Sequence, residues 1–318
     1  MNILLAPMHG MTDAFYRNTY AETFGSIDTY YTPFIGTTKM RKSTSLSFND
    51  VLPSRNSKLD IVPQLLSNDS SDFDYYASCI SNLGYKEINW NIGCPFHKVA
   101  RKKKGSGILP HPDLIKAFLD HVCSHRNYDL SIKMRLGYEN KNEGLEVIQL
   151  LNDYPLKNVT IHGRVGTQLY NGKVDLDSFE ELYTKSTHKV IYNGDIYGLD
   201  DYKHFQTRFP NILDFMIGRG ALNNPFLAPS IKGISYSNNE KLLKLIDFHD
   251  SMFNYYQSIL DSDIRLLSKM KEFWIYLSTT IDPIGEVLQR IRQCKTLNEY
   301  YQVITRTFNE SRQWITNF

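Results

Sequence analysis

Short runs of apolar or β-branched residues recur along the first part of the chain, each followed by a polar turn and then by a stretch whose apolar positions have helical spacing. The runs are Ile3–Ala6, Thr29–Pro33, Asp60–Leu65, Lys86–Asn91, Leu130–Arg135, Asn158–His162, Val190–Asn193 and Leu213–Ile217. A strand, a helix and a further strand in sequence favour parallel pairing, and eight such units predict an α/β fold with the sheet closed into a (β/α)8 TIM barrel. An open doubly wound sheet would carry Gly-x-Gly-x-x-Gly after its first strand. Ala6-Pro-Met-His-Gly-Met-Thr12 stands there instead, which favours the barrel. After Pro229 the pattern changes: Gly233-Ile-Ser-Tyr-Ser-Asn-Asn-Glu240 is rich in turn residues, and the remainder has helical spacing without strand-like runs. The expected organisation is a barrel over residues 1–235 and a small C-terminal all-helical domain over residues 236–318.

The composition suits that picture. With 318 residues, 42% hydrophobic and 22% charged, the chain can bury a sizeable core. The opening Met1-Asn-Ile-Leu-Leu-Ala-Pro7 is apolar too briefly for a secretory signal, and no uncharged apolar run reaches bilayer length, so a cytoplasmic protein without a membrane partner is expected. Cys79, Cys94, Cys123 and Cys294 are scattered, without C-x-x-C or zinc spacing, which argues against structural disulfides and against a metal site. The pattern leaves no obvious exposed apolar stripe, and a monomer is expected. A net charge of +2 is too mild to announce a nucleic-acid partner; only the distribution of charge can do so.

Nearly every predicted strand ends in residues with chemical capability: Met8, Gln64, Asn91 with Cys94, Lys133 with Arg135, His162, Asn193 and Arg219. In a barrel these ends meet on one rim. Asn89-Trp-Asn-Ile-Gly-Cys-Pro95 puts a thiol on a turn bracketed by Gly and Pro, just where an apolar run stops. Phe215-Met-Ile-Gly-Arg-Gly-Ala221 leads from a strand into a Gly-Arg-Gly turn and a short helix predicted around Ala221–Leu227. Backbone N–H groups and the Arg219 guanidinium there make a phosphate cradle, with Tyr192-Asn-Gly-Asp195 as its other half. A phosphate site with Lys133, His162 and Gln64 suits a flavin mononucleotide (FMN) across the barrel mouth, the lysine offsetting the charge of a reduced ring and Gln64 pairing with its polar edge. A phosphorylated sugar would use the same cradle.

Cations cluster in two places. Lys98-Val-Ala-Arg-Lys-Lys-Lys-Gly105 follows the cysteine turn and places Lys102, Lys103 and Lys104 where they would hold RNA phosphates. Asp263–Leu277 interleaves Arg265, Lys269 and Lys271 with Phe273, Trp274 and Tyr276; Phe273 and Trp274 are predicted to face a helical core and the cations to contact RNA. Arg41-Lys42 and the Ser/Asn-rich stretch to Lys58 suggest a loop over the barrel mouth.

Taken together, Leu5-Ala-Pro-Met-His-Gly-Met-Thr-Asp13, Asn89-Trp-Asn-Ile-Gly-Cys-Pro95, Ser131-Ile-Lys-Met-Arg-Leu-Gly137, Thr160-Ile-His-Gly-Arg164, Asn193-Gly-Asp195 and Met216-Ile-Gly-Arg-Gly220 resemble, in order, the motifs of the tRNA-dihydrouridine synthases (Dus). Lys269-Met-Lys-Glu-Phe-Trp-Ile-Tyr-Leu277 is similar to the basic-aromatic helix of that family's tRNA-binding domain, and the compact C-terminal part looks most like the bacterial DusC subfamily. The resemblance implies an FMN enzyme, reduced by NADPH, that converts a uridine in the D-loop of tRNA, at tRNA position 16, to 5,6-dihydrouridine. Hydride would pass to uracil C6 and Cys94 would protonate C5; a thiol with an ordinary pKa of ~8.5 holds its proton at neutral pH. The resemblance further implies Met8, Gln64, Lys133, His162, Asn193, Gly194, Asp195, Gly218 and Arg219 as flavin contacts. Asn91, Arg135 and Tyr170 would face the flipped uridine or its phosphate. Two positions depart from the family pattern: Phe96 stands where many members have a small hydroxyl residue, and Gly105-Ser-Gly-Ile108 is a variant of the usual small-residue turn. The alternatives are an FMN-dependent barrel reductase of a free pyrimidine or enone, for which a basic helical domain is superfluous, and a non-catalytic tRNA-binding protein, which has no use for Cys94 and Lys133.

Overall fold

The computed structural model describes residues 1–39, 48–56, 58–124, 126–282 and 285–315, with side chains to residue 311. Arg41 and Lys42, expected in a loop over the barrel mouth, lie outside the described residues. Ten strands form one sheet: β1 (Asn2–Leu5), β2 (Thr29–Tyr31), β3 (Ile35–Gly36), β4 (Ile61–Val62), β5 (Gln64–Leu66), β6 (Glu87–Ile92), β7 (Asp129–Arg135), β8 (Val159–His162), β9 (Val190–Asn193) and β10 (Asp214–Ile217). Every pairing is parallel, and β1 bonds to β10 on one side and to β2 on the other. Pro33 lies between β2 and β3 and Pro63 between β4 and β5; a residue without an N–H interrupts a ladder, so each pair is one barrel strand broken at a proline. The ten strands are thus eight staves of a closed barrel, and each coincides with one of the predicted runs.

The chain divides into two compact units, one of Met1–Ala14, Asp28–Asp195 and Arg208–Ile217, the other of Phe15–Ile27, Ile196–Thr207 and the chain from Gly218 onward. In the first, β6 shows how the sequence builds both sides of the barrel wall. Asn89 and Asn91 alternate with Trp90 and Ile92, and all four are buried. The Trp90 ring stacks on Phe118 with centroids 3.8 Å apart, while its Nε1 donates to the Ser67 carbonyl at 2.9 Å. Phe118 belongs to the helix Pro112–Val122, which buries Ile115, Phe118, Leu119 and Val122, the three-and-four spacing of a single face. Leu4, Ala6, Tyr31, Val62, Ile191 and Met216 fill the barrel interior.

The second unit is built from the helices Asn238–Ile259, Asp263–Ile281, Glu286–Gln293 and Leu297–Ile315, the first two started by Ser237 and Ser262 as N-caps. Phe273 and Trp274 are buried in its core, as predicted. His249 is buried there too, its Nδ1 2.8 Å from Asp250 and its Nε2 2.7 Å from the Tyr300 hydroxyl, which also accepts from Trp274 Nε1 at 2.8 Å. Tyr16, Tyr20 and Phe24 pack their rings on Phe248, so that an early helix shares this core with residues far along the chain. Among the described residues no helix is long and apolar enough to cross a membrane.

Candidate active site at the rim of the barrel

Three rungs of inward-facing polar side chains climb the barrel toward the C-terminal ends of its strands. In the lowest, register places Gln64 beside Asn89 and Asn89 beside Ser131. Gln64 Nε2 donates to Asn89 Oδ1 at 2.8 Å, and Asn89 Nδ2 donates to Ser131 Oγ at 3.0 Å. The next rung pairs Asn91 with Lys133, and the last aligns Arg135, His162, Asn193 and Met216. Most buried polar groups in proteins are hydrogen-bonded, and Gln64, Asn89, Ser131, Asn91, Lys133 and Asn193 find partners in or beside this ladder.

Lys133 Nζ donates to Asn193 Oδ1 at 2.8 Å, and Asn193 Nδ2 donates to the Met216 carbonyl at 2.8 Å, which fixes the amide with its oxygen toward the ammonium. Burial first, and the Arg135 charge second, push the lysine from its ordinary 10.5 down to about 7. Among the described residues no carboxylate forms an ion pair with it.

The cysteine turn is braced from both sides. Asn91 Oδ1 accepts the N–H groups of Gly93 at 3.0 Å and Cys94 at 2.9 Å, and Asn91 Nδ2 donates to Gln64 Oε1 at 2.6 Å. The Cys94 carbonyl accepts from Ser106 N at 2.9 Å and Ser106 Oγ at 3.0 Å. Gly105 has φ +56°, and a Cβ there would lie 2.5 Å from the Cys94 carbonyl oxygen, so the Gly-Ser-Gly sequence is what lets this loop close against the cysteine. The Cys94 side chain is 6% exposed. Burial pushes the thiol up, against the opposing pull of the Phe96 backbone hydrogen bond and the charges of Arg135 and Lys133.

Arg135, 3% exposed, donates from Nε to the Gly93 carbonyl at 3.1 Å and from Nη1 to the carbonyls of Val165 at 2.8 Å and Leu169 at 2.7 Å. Its guanidinium lies 5.4 Å from the Tyr170 ring centroid, and the His162 ring meets the same tyrosine edge-on at 6.4 Å. Gly194 follows β9, where any side chain would collide with the Tyr192 hydroxyl. Met8 is half-buried after β1, its N–H bonded to Thr12 Oγ1 at 2.9 Å.

Other candidates fall elsewhere or are otherwise engaged. The Asp195 carboxylate pairs with Arg164, whose Nη1 meets its Oδ1 at 2.8 Å; Arg164 is buried, and the sequence reading had not singled it out although it closes the Thr160–Arg164 motif. Ser106 was likewise missed, its only sequence signal being the two flanking glycines. Gly218 and Arg219 belong to the second unit, where the short helix predicted around 221–227 is found at Arg219–Asn223 and the guanidinium lies 5.5 Å from the Tyr197 ring centroid. Lys102 and Lys103 are exposed, whereas Lys104 is half-buried and donates to the Thr37 carbonyl at 3.4 Å. Lys269 lies 4.8 Å from the Tyr256 ring centroid, and exposed Arg265 pairs with Asp261 at 3.1 Å. Lys271 donates to the carbonyls of Arg292 at 3.0 Å and Cys294 at 2.5 Å, so its charge caps the C-terminal end of the helix Glu286–Gln293.

A family model described as dihydrouridine synthase (Dus) matches residues 4–312. The chain belongs to the dihydrouridine synthase family. Among its curated relatives, a tRNA-dihydrouridine(16) synthase of Neisseria meningitidis is 26% identical over 314 residues, which cover 95% of this chain and 93% of the relative. A tRNA-dihydrouridine synthase B of Pasteurella multocida is 29% identical over 235 residues, 71% of this chain and 67% of the relative. Solved structures with similar folds include the old yellow enzyme from Trypanosoma cruzi, with TM-score 0.53 and 9% identity over 73% of this chain and 88% of that one, and a morphinone reductase, with TM-score 0.52 and 10% identity over 74% and 86%. At these identities the likeness is one of fold. As a dihydrouridine synthase the protein is an enzyme, and the barrel that carries its ladder of polar side chains is the expected (β/α)8 architecture.

Proposed function

We propose that the protein reduces the C5–C6 double bond of a uridine in the D-loop of tRNA, at tRNA position 16, to 5,6-dihydrouridine, with FMN as cofactor and NADPH as reductant. The observation that carries this reading is Cys94: a buried thiol held above its ordinary pKa, in a turn fixed from both sides, beside two cations at the rim of a barrel.

The residues present fit an FMN. Lys133 is a buried ammonium whose hydrogen bond goes to a neutral amide, an environment that an electron-rich ring would complement. Asn193, bonded to Lys133, and His162, its register neighbour, offer amide and imidazole groups there. Gln64 is assigned to the ring edge on the chemistry of its amide, which also bonds Asn89 and Asn91, and Gly194 leaves backbone where a side chain would meet Tyr192. Met8 supplies a half-buried apolar contact from the loop after β1. Gly218 and Arg219, next in the chain after β10, are assigned to the phosphate on their chemistry, a backbone N–H and a guanidinium. The Asp195 carboxylate is left to Arg164. Bound FMN, once reduced by NADPH, supplies the hydride that goes to uracil C6.

Cys94 supplies the proton. As hydride reaches C6, negative charge develops at C5, and the thiol gives its proton there, so that one hydride and one proton add across the double bond. Burial keeps the thiol protonated at neutral pH, and Arg135 and Lys133 favour the thiolate that results until solvent reprotonates it. Asn91 has committed both lone pairs of Oδ1 and one Nδ2 proton to the cysteine turn and Gln64, which leaves its second Nδ2 proton for the uracil edge. Tyr170, 38% exposed and backed by Arg135, offers a surface on which an extruded base can stack. Exposed Lys102 and Lys103 beside the cysteine turn, with Arg265 and Lys269 on the helical unit, are assigned to tRNA phosphates; Lys104 and Lys271, with their ammonium groups on carbonyls, contribute less. A substrate of this kind places the enzyme in the cytoplasm.

The test is anaerobic. The flavin of the purified protein is reduced with NADPH, unmodified tRNA is added, reoxidation is followed in the visible spectrum and dihydrouridine is mapped. Reoxidation with product at position 16 is expected; product at another position overturns the position, and reoxidation by free uridine or an enone but not by tRNA overturns the substrate.

A further inference from the structure

Two sets of hydrogen bonds, joined through the backbone of one loop, link the residues after β9 to the cysteine turn, and Arg164 is the centre of the first set. The Arg164 guanidinium grips both oxygens of Asp195, with Nη1 to Oδ1 at 2.8 Å. The same side chain donates from Nε to the Asn171 carbonyl at 3.2 Å and from Nη2 to the Gly172 carbonyl at 2.6 Å. Those two carbonyls belong to the loop after β8, which also carries Val165, Leu169 and Tyr170. Two of its carbonyls, from Val165 and Leu169, receive Arg135 Nη1, and Arg135 Nε in turn holds the Gly93 carbonyl, one residue before the thiol. Leu169 sits at φ +52°, a conformation that a non-glycine residue keeps only when its surroundings enforce it.

We propose that Arg164, oriented by Asp195, is a positioning residue that sets the loop after β8 as a clamp on Arg135 and so fixes the Cys94 turn. Four features support it. Arg164 is fully buried, and a guanidinium is placed there at a desolvation cost that only a matched set of acceptors offsets. Its planar fork meets a carboxylate and two backbone carbonyls at once, a pattern that lysine cannot reproduce. Arg135 finds two of its acceptors in the one loop that Arg164 ties down, so any shift of that loop passes to Gly93 and Cys94. Tyr170 rides on the same loop, so the clamp also sets the surface offered to the base. The proposal rests on the reaction assigned to Cys94 above. It extends that reading, which already leaves the Asp195 carboxylate to Arg164, by giving the pair a task at the cysteine turn.

Asp195→Asn is the primary variant, since it keeps the shape and weakens the pair without removing a buried group; Arg164→Lys keeps the charge and removes the fork. In both, anaerobic reduction of the flavin by NADPH should proceed at the wild-type rate. The tRNA-dependent reoxidation at saturating tRNA should fall by about a hundredfold, the scale on which a reacting group displaced by ~1 Å loses rate. Alkylation of Cys94 by iodoacetamide, measured by mass spectrometry, should accelerate by about tenfold as the turn loosens. Variants that melt earlier but retain wild-type reoxidation and alkylation would reduce Arg164 to a structural pair and overturn the proposal. Loss of flavin or of its reduction in Asp195→Asn would overturn it in the other direction, by returning Asp195 to the cofactor. Alkylation needs neither tRNA nor turnover, so a wild-type protein inactive on tRNA would refute the proposed function while the thiol still judged the clamp.

Discussion

Replacing Lys133 with methionine, which has nearly the same reach and no charge, should stabilise the flavin-free protein at pH 6 while impairing its use of flavin. Burial and the neighbouring Arg135 push the lysine from 10.5 down to about 7. At about 1.36 kcal/mol per pKa unit, that difference corresponds to roughly 5 kcal/mol of strain in the charged form. Below pH 7 folded and unfolded chains are both protonated at this residue, and the strain is fully present. Between about pH 7 and 10.5 the unfolded chain binds the extra proton, so this group makes stability rise with pH until the strain is gone. Urea unfolding of flavin-free wild type and Lys133→Met at pH 6, 8 and 10 isolates the contribution, because every other titrating group is common to both. The variant should be more stable by a few kcal/mol at pH 6, the gap closing toward pH 10, and it should bind FMN more weakly and accept electrons from NADPH more slowly. A variant less stable than wild type at pH 6, or a gap independent of pH, would refute the claim that burial holds the ammonium in strain.

Cys94→Ala should leave flavin bound and reducible while cutting tRNA-dependent reoxidation by about 10²–10⁴-fold, the range for loss of a general acid, with unchanged reoxidation removing Cys94 from the mechanism. Because burial holds that thiol above the range of an exposed cysteine, the alkaline loss of reoxidation rate that reports its deprotonation should come at higher pH than the alkylation profile of an exposed thiol; a loss at the same or lower pH would contradict the shift. Gly105→Ala, which forces a side chain into a φ of +56° and against the Cys94 carbonyl, should cost about 2 kcal/mol in thermal or urea unfolding and slow turnover as well. Reversing the charges of Lys102 and Lys103 should weaken tRNA binding and flatten its dependence on salt, measured by filter binding across a salt series; an unchanged slope would place the phosphates elsewhere.

The barrel was legible because a parallel stave is buried on both faces and therefore appears as an apolar run, and the turn after each run exposed what the rim would carry. Periodicity speaks of neighbours along the chain, however, and the site is made of neighbours across it. Lys133 and Asn193, Gln64 and Asn91, and Arg164 and Asp195 meet only once adjacent staves are in register, so no local pattern distinguished an aspartate that holds an arginine from one that contacts a cofactor. Lys271 shows the same limit in the helical part: its helix face suggested an outward cation, and the carbonyls it meets lie at the end of a different helix. Tyr16, Tyr20 and Phe24 had no sequence signal at all to join them to Phe248. Asn91 carries the point furthest. By sequence it is a polar residue at a strand end, three positions before a thiol, and only the family resemblance turns it toward the substrate. In the fold its oxygen holds the backbone N–H groups of Gly93 and of the thiol's own residue and its nitrogen holds Gln64, so it is a brace, and only one N–H remains whose direction the brace has already set.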